Sequence, residues 1–234
     1  MSAILYQYEL SPFCDKVRRA LNLKGIAYRT EEISVLDTLR GRLKQLSPAA
    51  KVPVLVIDGE TLSDSTDIIH WLEARYPEPR LIPANAKEQA LVHFLEDWAD
   101  ESLYFHEMHL RFTLPHNARR WVAEVTAHDN LVIRNIAKVA VPLTMRKTTE
   151  AQGTGRKPLA ALLRDLDRHL LMLEQWLDGR DWLVGDRLSL ADLAVYAQLF
   201  CIAGALEGQD LLQRHAGVQA WMARVDRASQ ARAA

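Results

Sequence analysis

The sequence predicts an α/β N-terminal unit of order βαβαββα followed by an all-α helical bundle. Three observations carry that reading. Short aliphatic and β-branched runs alternate with segments of helical spacing up to Tyr76. Pro79 and Pro83 then interrupt all periodicity within residues 78–85. From Ala86 onward leucines recur every three or four residues and no strand pattern appears.

Taken in order, residues 3–8 predict a first strand, and Ser11-Pro12 opens a helix whose apolar positions are Val17, Ala20, Leu21 and Leu23, ending at Gly25. Residues 27–33 form a second strand and Leu36 to Leu46 a second helix. Val54 to Ile57 is a third strand closed by Asp58-Gly59, and Thr61-Leu62 a short fourth. Asp64 to Tyr76 is a helix that Pro77 stops. The predicted division is an α/β domain over residues 1–77, a linker over 78–87 and a helical domain over 88–234. Within the latter, Leu159, Leu162, Leu163, Leu166, Leu170, Leu173 and Leu177 share one helix face, residues 153–158 have loop composition, and 105–150 is helical but weakly patterned.

Composition narrows the function. Lys and Arg total 29 against 30 Asp and Glu, a formal charge of -1 that sets up no long-range field to draw in nucleic acid or an anionic membrane. Two cysteines, Cys14 and Cys201, build neither a disulfide framework nor a four-ligand zinc site, and they suit a reducing cytoplasm. The start Met1 to Tyr6 has no basic segment leading into an apolar one, and no window reaches the roughly 18 apolar residues of a membrane span, so neither an export signal nor an anchor is expected.

Several positions have local chemistry of their own. Ser11 followed by Pro12 is a favoured N-cap and N1 pair, with Cys14 at N3. Val52-Pro53 is an extended residue before a proline, suited to a cis turn or to an edge strand. Asp64-Ser65 opens a helix, where an anion or a cap is favoured. Ser189 and Asp192 form a capping box ahead of an apolar helix, a structural pair. His106 and His109 sit three apart, but no metal-ligand pattern accompanies them, and no metal is expected.

The strand order, with Ser11-Pro12-Phe13-Cys14 at the first turn, Val52-Pro53 before the third strand and Asp64-Ser65 before the last helix, resembles the glutathione S-transferase superfamily, whose N-terminal domain is thioredoxin-like. Trp182 to Asp192 is similar to that family's C-terminal signature, so the likeness spans nearly the whole chain. Leu5-Tyr6-Gln7-Tyr8, Lys16-Val17-Arg18, Lys51-Val52-Pro53 and Leu190 to Tyr196 look closest to the type-2, membrane-associated prostaglandin E synthase branch. Ser11, however, stands where that branch carries the first cysteine of its Cys-Pro-Phe-Cys motif, and the likeness does not extend to its membrane-associated leader. Prostaglandin isomerase activity is therefore not expected.

The resemblance implies a homodimeric transferase that uses glutathione as co-substrate and conjugates it to a small electrophilic apolar molecule in detoxification. Glutathione reacts as its thiolate, and a hydroxyl at a helix N-terminus stabilises that anion. Ser11 is the candidate donor, Tyr8 the rival, and Cys14 either a buried apolar residue or a thiol supporting reductase or isomerase chemistry. Tyr6 and Tyr8 share a strand face, so either is equally suited to packing. Phe13, Lys51, Val52, Pro53, Asp64 and Ser65 are the implied glutathione-binding residues. Val52 pairs with the cysteinyl unit, Lys51 meets the glycyl carboxylate, and Asp64 and Ser65 hold the γ-glutamyl end. Tyr104, Phe105 and Phe112 are expected to line the second-substrate pocket. A non-catalytic binding module on the same fold is the competing reading.

Overall fold

A computed structural model describes residues 3–230; Met1 and Ser2, part of the start read for an export signal, lie outside them. The N-terminal half is a four-stranded mixed sheet in the order β2-β1-β3-β4, from β1 (Ala3–Gln7), β2 (Tyr28–Glu32), β3 (Val54–Ile57) and β4 (Glu60–Ser63). β1 runs parallel to β2 and antiparallel to β3, and β3 antiparallel to β4. Helix α1 (Pro12–Leu23) makes the crossover between the parallel strands. It buries Val17, Ala20 and Leu21 in the same core as Leu5, Leu55 and Ile57, which α4 (Ser65–Arg75) completes with Ile68, Ile69 and Leu72.

One expected element divides. The pattern over 36–46 is two short helices, α2 (Val35–Leu39) and α3 (Arg42–Leu46), because Gly41 takes φ +79° between them, a left-handed conformation that ends a helix and that glycine tolerates without a Cβ clash. The first turn of α2 is held by a Ser34/Asp37 capping box. From a second side, the Asp129 carboxylate accepts from Val35 N at 3.1 Å and Leu36 N at 2.9 Å.

The C-terminal half is helical: α5 (Ala86–Trp98), α6 (Tyr104–Phe112), α7 (Pro115–Val125), α8 (Leu131–Gln152), α9 (Leu159–Trp176), α10 (Leu190–Ala203), α11 (Leu206–Leu212) and α12 (Ala216–Ser229). The leucine face read over 159–177 is α9, with Leu162, Leu166, Leu170 and Leu173 buried. Helix α10 is buried almost all round. No single described helix is long and apolar enough to cross a membrane. A π-helical turn (Ala99–Leu103) joins α5 to α6 and brings Asp100 within 2.6 Å of Lys16 Nζ.

Polar groups tie the two halves together. Lys16 is fully buried and also donates to Glu96 Oε1 at 3.0 Å, which accepts from Thr66 Oγ1 at 2.8 Å. Arg19 reaches Asp226 at 2.9 Å and Ser229 at 2.8 Å, with its guanidinium 4.2 Å over the Tyr196 ring. Both cations are enclosed and matched by carboxylates, the condition under which burying a charge is tolerated.

Candidate functional site

Strand register gathers the predicted residues at one end of the sheet. Tyr6 pairs with Val54, and Val54 with Ser63. The turn leaving β1, the Val52-Pro53 turn entering β3 and the Asp64-Ser65 start of α4 therefore emerge side by side. With strands about 4.8 Å apart, β1 to β4 spans about 10 Å.

The turn leaving β1 is tied down at almost every backbone group. Glu9 N donates to Glu32 Oε2 at 3.0 Å and Glu9 O accepts from Arg18 Nη2 at 2.9 Å. Ser11 N closes the turn on Tyr8 O at 3.0 Å. The Leu10 carbonyl accepts from both terminal nitrogens of Arg111, at 3.3 and 3.2 Å. Ser11 itself is the N-cap of α1, and its Oγ accepts from Cys14 N at 3.4 Å.

The rivals to Ser11 are engaged otherwise. Tyr8 follows the last residue of β1, with its hydroxyl 2.6 Å from Thr38 Oγ1. Thr38 Oγ1 is also within reach of Ser34 O, at 3.2 Å. Burial raises the Tyr8 pKa, against the Thr38 bond. Cys14 is fully buried, and desolvation pushes its thiol up to about 11, only partly offset by its bond to Ser11. Tyr6 lies under the Arg42 guanidinium at 5.7 Å.

The Val52-Pro53 bond is cis, Pro53 is buried, and Lys51 is exposed beside it. Asp64 adopts φ 73° and ψ 130°, a conformation L residues rarely occupy and one worth about 1–3 kcal/mol of strain. Its Oδ1 accepts from Thr66 N at 2.9 Å, and it leaves Ser65 at the first position of α4. Two helix N-termini, those of α1 and α4, thus face the same sheet end with their positive dipole poles.

Of the aromatic residues expected at a second pocket, Tyr104 packs edge-on against Phe13 at 4.9 Å and against Phe105 at 5.3 Å. Phe112 lies two turns further along α6, 5.0 Å under Arg111. Two shallow recesses in the helical half, about 280 and 210 Å³, involve none of the three. The Ser189/Asp192 capping box forms. Asp192 does more than cap, because it also accepts from Leu183 N and Trp221 Nε1, each at 2.9 Å. His106 is buried with Nδ1 against Ser102 O at 3.0 Å, and its ring stands edge-on to His169 at 5.6 Å. No described group of three or more His, Cys, Asp or Glu residues is arranged to hold a metal ion.

Sequence reasoning passed over Thr38, Asp129 and the Arg111 cluster. Thr38 meets Tyr8, Asp129 the start of α2 and Arg111 Leu10, each from a distant point in the chain, so no local spacing marks them.

Residues 5–80 match the family model "Glutathione S-transferase, N-terminal domain", and residues 133–227 its "C-terminal domain". The chain belongs to the glutathione S-transferase superfamily. A glutathione S-transferase from Rhodospirillum rubrum F11 shares the fold at TM-score 0.65 and 28% identity, over 96% of this chain and 87% of that one. The chain is 36% identical over 88 residues to a probable maleylacetoacetate isomerase of Caenorhabditis elegans, covering 37% of this chain and 41% of the relative. It is 36% identical over 89 residues to glutathione S-transferase Z1 of Arabidopsis thaliana, covering 37% and 40%. These matches thus span about two fifths of the curated relatives. The expected likeness to the prostaglandin E synthase branch finds no support in them. That expectation rested on a few short segments such as Lys51-Val52-Pro53, too short to separate one branch from another.

Proposed function

We propose that this protein binds glutathione across the strand ends, ionises its thiol at the N-terminus of α1 with the Ser11 hydroxyl as donor, and delivers the thiolate to an electrophilic apolar molecule beside Phe13 and Tyr104. One observation carries the choice of donor. The Tyr8 hydroxyl is already paired with Thr38 Oγ1 at 2.6 Å, whereas Ser11 Oγ accepts only from Cys14 N among its described bonds and keeps its own proton to give. Size supports the ligand: an extended tripeptide is about 10 Å long, the distance from β1 to β4. In this reading Val52 pairs with the cysteinyl unit, the α4 N-terminus at Ser65 takes the γ-glutamyl carboxylate, and Lys51 meets the glycyl carboxylate. Cys14 packs and takes no part in the chemistry. We take the working unit to be a homodimer.

A second reading is favoured by the relatives called maleylacetoacetate isomerase. There the same thiolate adds to a conjugated double bond, the adduct rotates about the resulting single bond, and the thiolate leaves, so glutathione is regenerated. Both readings need Ser11; they differ in whether glutathione is consumed.

Calorimetric titration with glutathione, the pH dependence of bound-thiolate absorbance, and turnover with an activated aryl halide and with a conjugated cis-diacid test the proposal. Binding at or below millimolar concentration is expected. Ser11→Ala should keep that binding and lose about tenfold in thiolate for each pKa unit the thiol rises. Tyr8→Phe should change both little. No binding at millimolar glutathione overturns the proposal, binding without turnover leaves a binding module, and loss on Tyr8→Phe alone moves the donor to Tyr8.

A further inference from the structure

We propose that Arg111 is the positioning residue of the thiolate site, fixing the direction of the Ser11 hydroxyl through the carbonyl of Leu10. The inference rests on the functional reading above. Arg111 is 1% exposed, yet the only backbone group among its described hydrogen-bond partners is that one carbonyl, 101 residues away in sequence.

The surroundings are built to keep it there. Glu107, itself buried, pairs with Arg111 one turn earlier on α6. The Trp121 ring lies 3.9 Å from the guanidinium on one side and Phe112 5.0 Å away. Trp121 is in turn anchored by Nε1 donating to Gly204 O at 3.2 Å, and a Cβ at Gly204 would stand 2.3 Å from its ring, so only glycine leaves room for that platform. Cys201 Sγ reaches the same Leu10 oxygen at 3.7 Å. Arg111 of α6 and Cys201 of α10 converge on a single carbonyl at the rim of the site, and Trp121 of α7 packs on the arginine. A backbone carbonyl on a surface turn is ordinarily satisfied by water, and a buried ion pair is a costly substitute for it.

The consequence for Ser11 is geometric. Leu10 C=O and Ser11 N–H belong to one planar peptide unit. The oxygen is held by the Arg111 fork and the nitrogen by Tyr8 O at 3.0 Å, so the plane is pinned at both ends. Ser11 leaves it at φ -81° and ψ 126°, which sets where Cβ and its hydroxyl point. Because Glu107 balances the guanidinium, the cluster contributes orientation more than field.

The test must separate positioning from mere fastening of the two halves. Replacing a buried ion pair by apolar residues of similar size usually preserves or improves stability, whereas removing one partner orphans the other. The informative protein is therefore Glu107→Leu/Arg111→Met, with Arg111→Lys beside it as a variant that keeps the charge and loses the fork. The readout is the thiol pKa of bound glutathione from thiolate absorbance, with glutathione affinity and denaturation midpoint alongside. The expected result is near-normal stability and affinity with about tenfold less thiolate at pH values below the thiol pKa, and a smaller loss in Arg111→Lys. Adding Ser11→Ala to the double substitution should produce no further change beyond Ser11→Ala alone. A wild-type thiol pKa in the folded double variant, or in Arg111→Lys if the double variant does not fold, overturns the inference, as does an additive effect with Ser11→Ala. An unchanged thiol pKa in Ser11→Ala refutes the functional reading instead, whatever the Arg111 variants do.

Discussion

Asp192→Ala should cost this protein much more than the loss of a helix cap. A capping residue is worth about 0.5–2 kcal/mol. Asp192, however, is fully buried and accepts four hydrogen bonds: Ser189 N at 2.9 Å, Ser189 Oγ at 2.8 Å, Leu183 N at 2.9 Å and Trp221 Nε1 at 2.9 Å. Leu183 and Trp221 are themselves fully buried, so alanine leaves two further donors with no route to water. Each buried orphan costs about 1–3 kcal/mol, which with the cap brings the expected destabilisation to about 2.5–8 kcal/mol, a large part of the 5–15 kcal/mol that holds a typical domain folded. Ser189→Ala, which removes one bond of the four, should cost about 1 kcal/mol. Denaturant unfolding followed by circular dichroism, extrapolated linearly to water, measures both. If Asp192→Ala loses less than about 2 kcal/mol, the carboxylate is only a cap and the reasoning from orphaned donors fails.

Burial lowers the pKa values of His106, His169 and His109 below the ordinary 6.5, with their mutual repulsion and Lys157, Arg146 and Arg168 acting the same way and the Ser102 carbonyl, Asp165 and Glu150 opposing. The unfolded chain then binds more protons than the folded one. The stability linked to the cluster is whole above pH 6.5 and is lost as pH falls from there through the lower folded values. The denaturation midpoint should therefore drop between pH 7.5 and 5.5, and His106→Phe should reduce that drop; parallel losses in the two proteins would refute it. Burial also pushes the Cys14 thiol up to about 11 and Cys201 up to about 12. Neither should react with iodoacetamide at pH 7.5 over a time in which both react in urea, and Cys14→Ala should retain glutathione turnover. Rapid labelling of Cys14 in the folded protein would restore its claim to the chemistry.

The elements that could be read from sequence are those whose signal is local. The first turn was legible because Ser11-Pro12 is at once a cap, a helix start and a break after an apolar strand. Pro53 and the start of α4 were legible for the same reason. The division of α2 from α3 was also marked locally, by Gly41, but the apolar spacing of Leu36, Leu39, Leu43 and Leu46 runs through the break and hides it. What surrounds Ser11 was not legible at all. The partners of Leu10 O lie 101 and 191 positions away, and the reach of Asp192 to Trp221 crosses 29. A buried arginine in a helix has the same sequence appearance as a solvated one, since only tertiary contact separates them. The π-helical turn that brings Asp100 to Lys16 leaves no compositional trace either.

The carboxylate of Asp129 seated on the N-terminus of α2 has a consequence for the surroundings of Tyr8. Thr38, which is paired with the Tyr8 hydroxyl, stands on that short helix, and the helix is moored by a loop belonging to the opposite half of the molecule. Cutting the mooring would leave the first turn of α2 to its own Ser34/Asp37 capping box. The surroundings of Tyr8 are thus set partly from a remote loop, and a substitution at position 129 reaches them without changing any residue of the first turn.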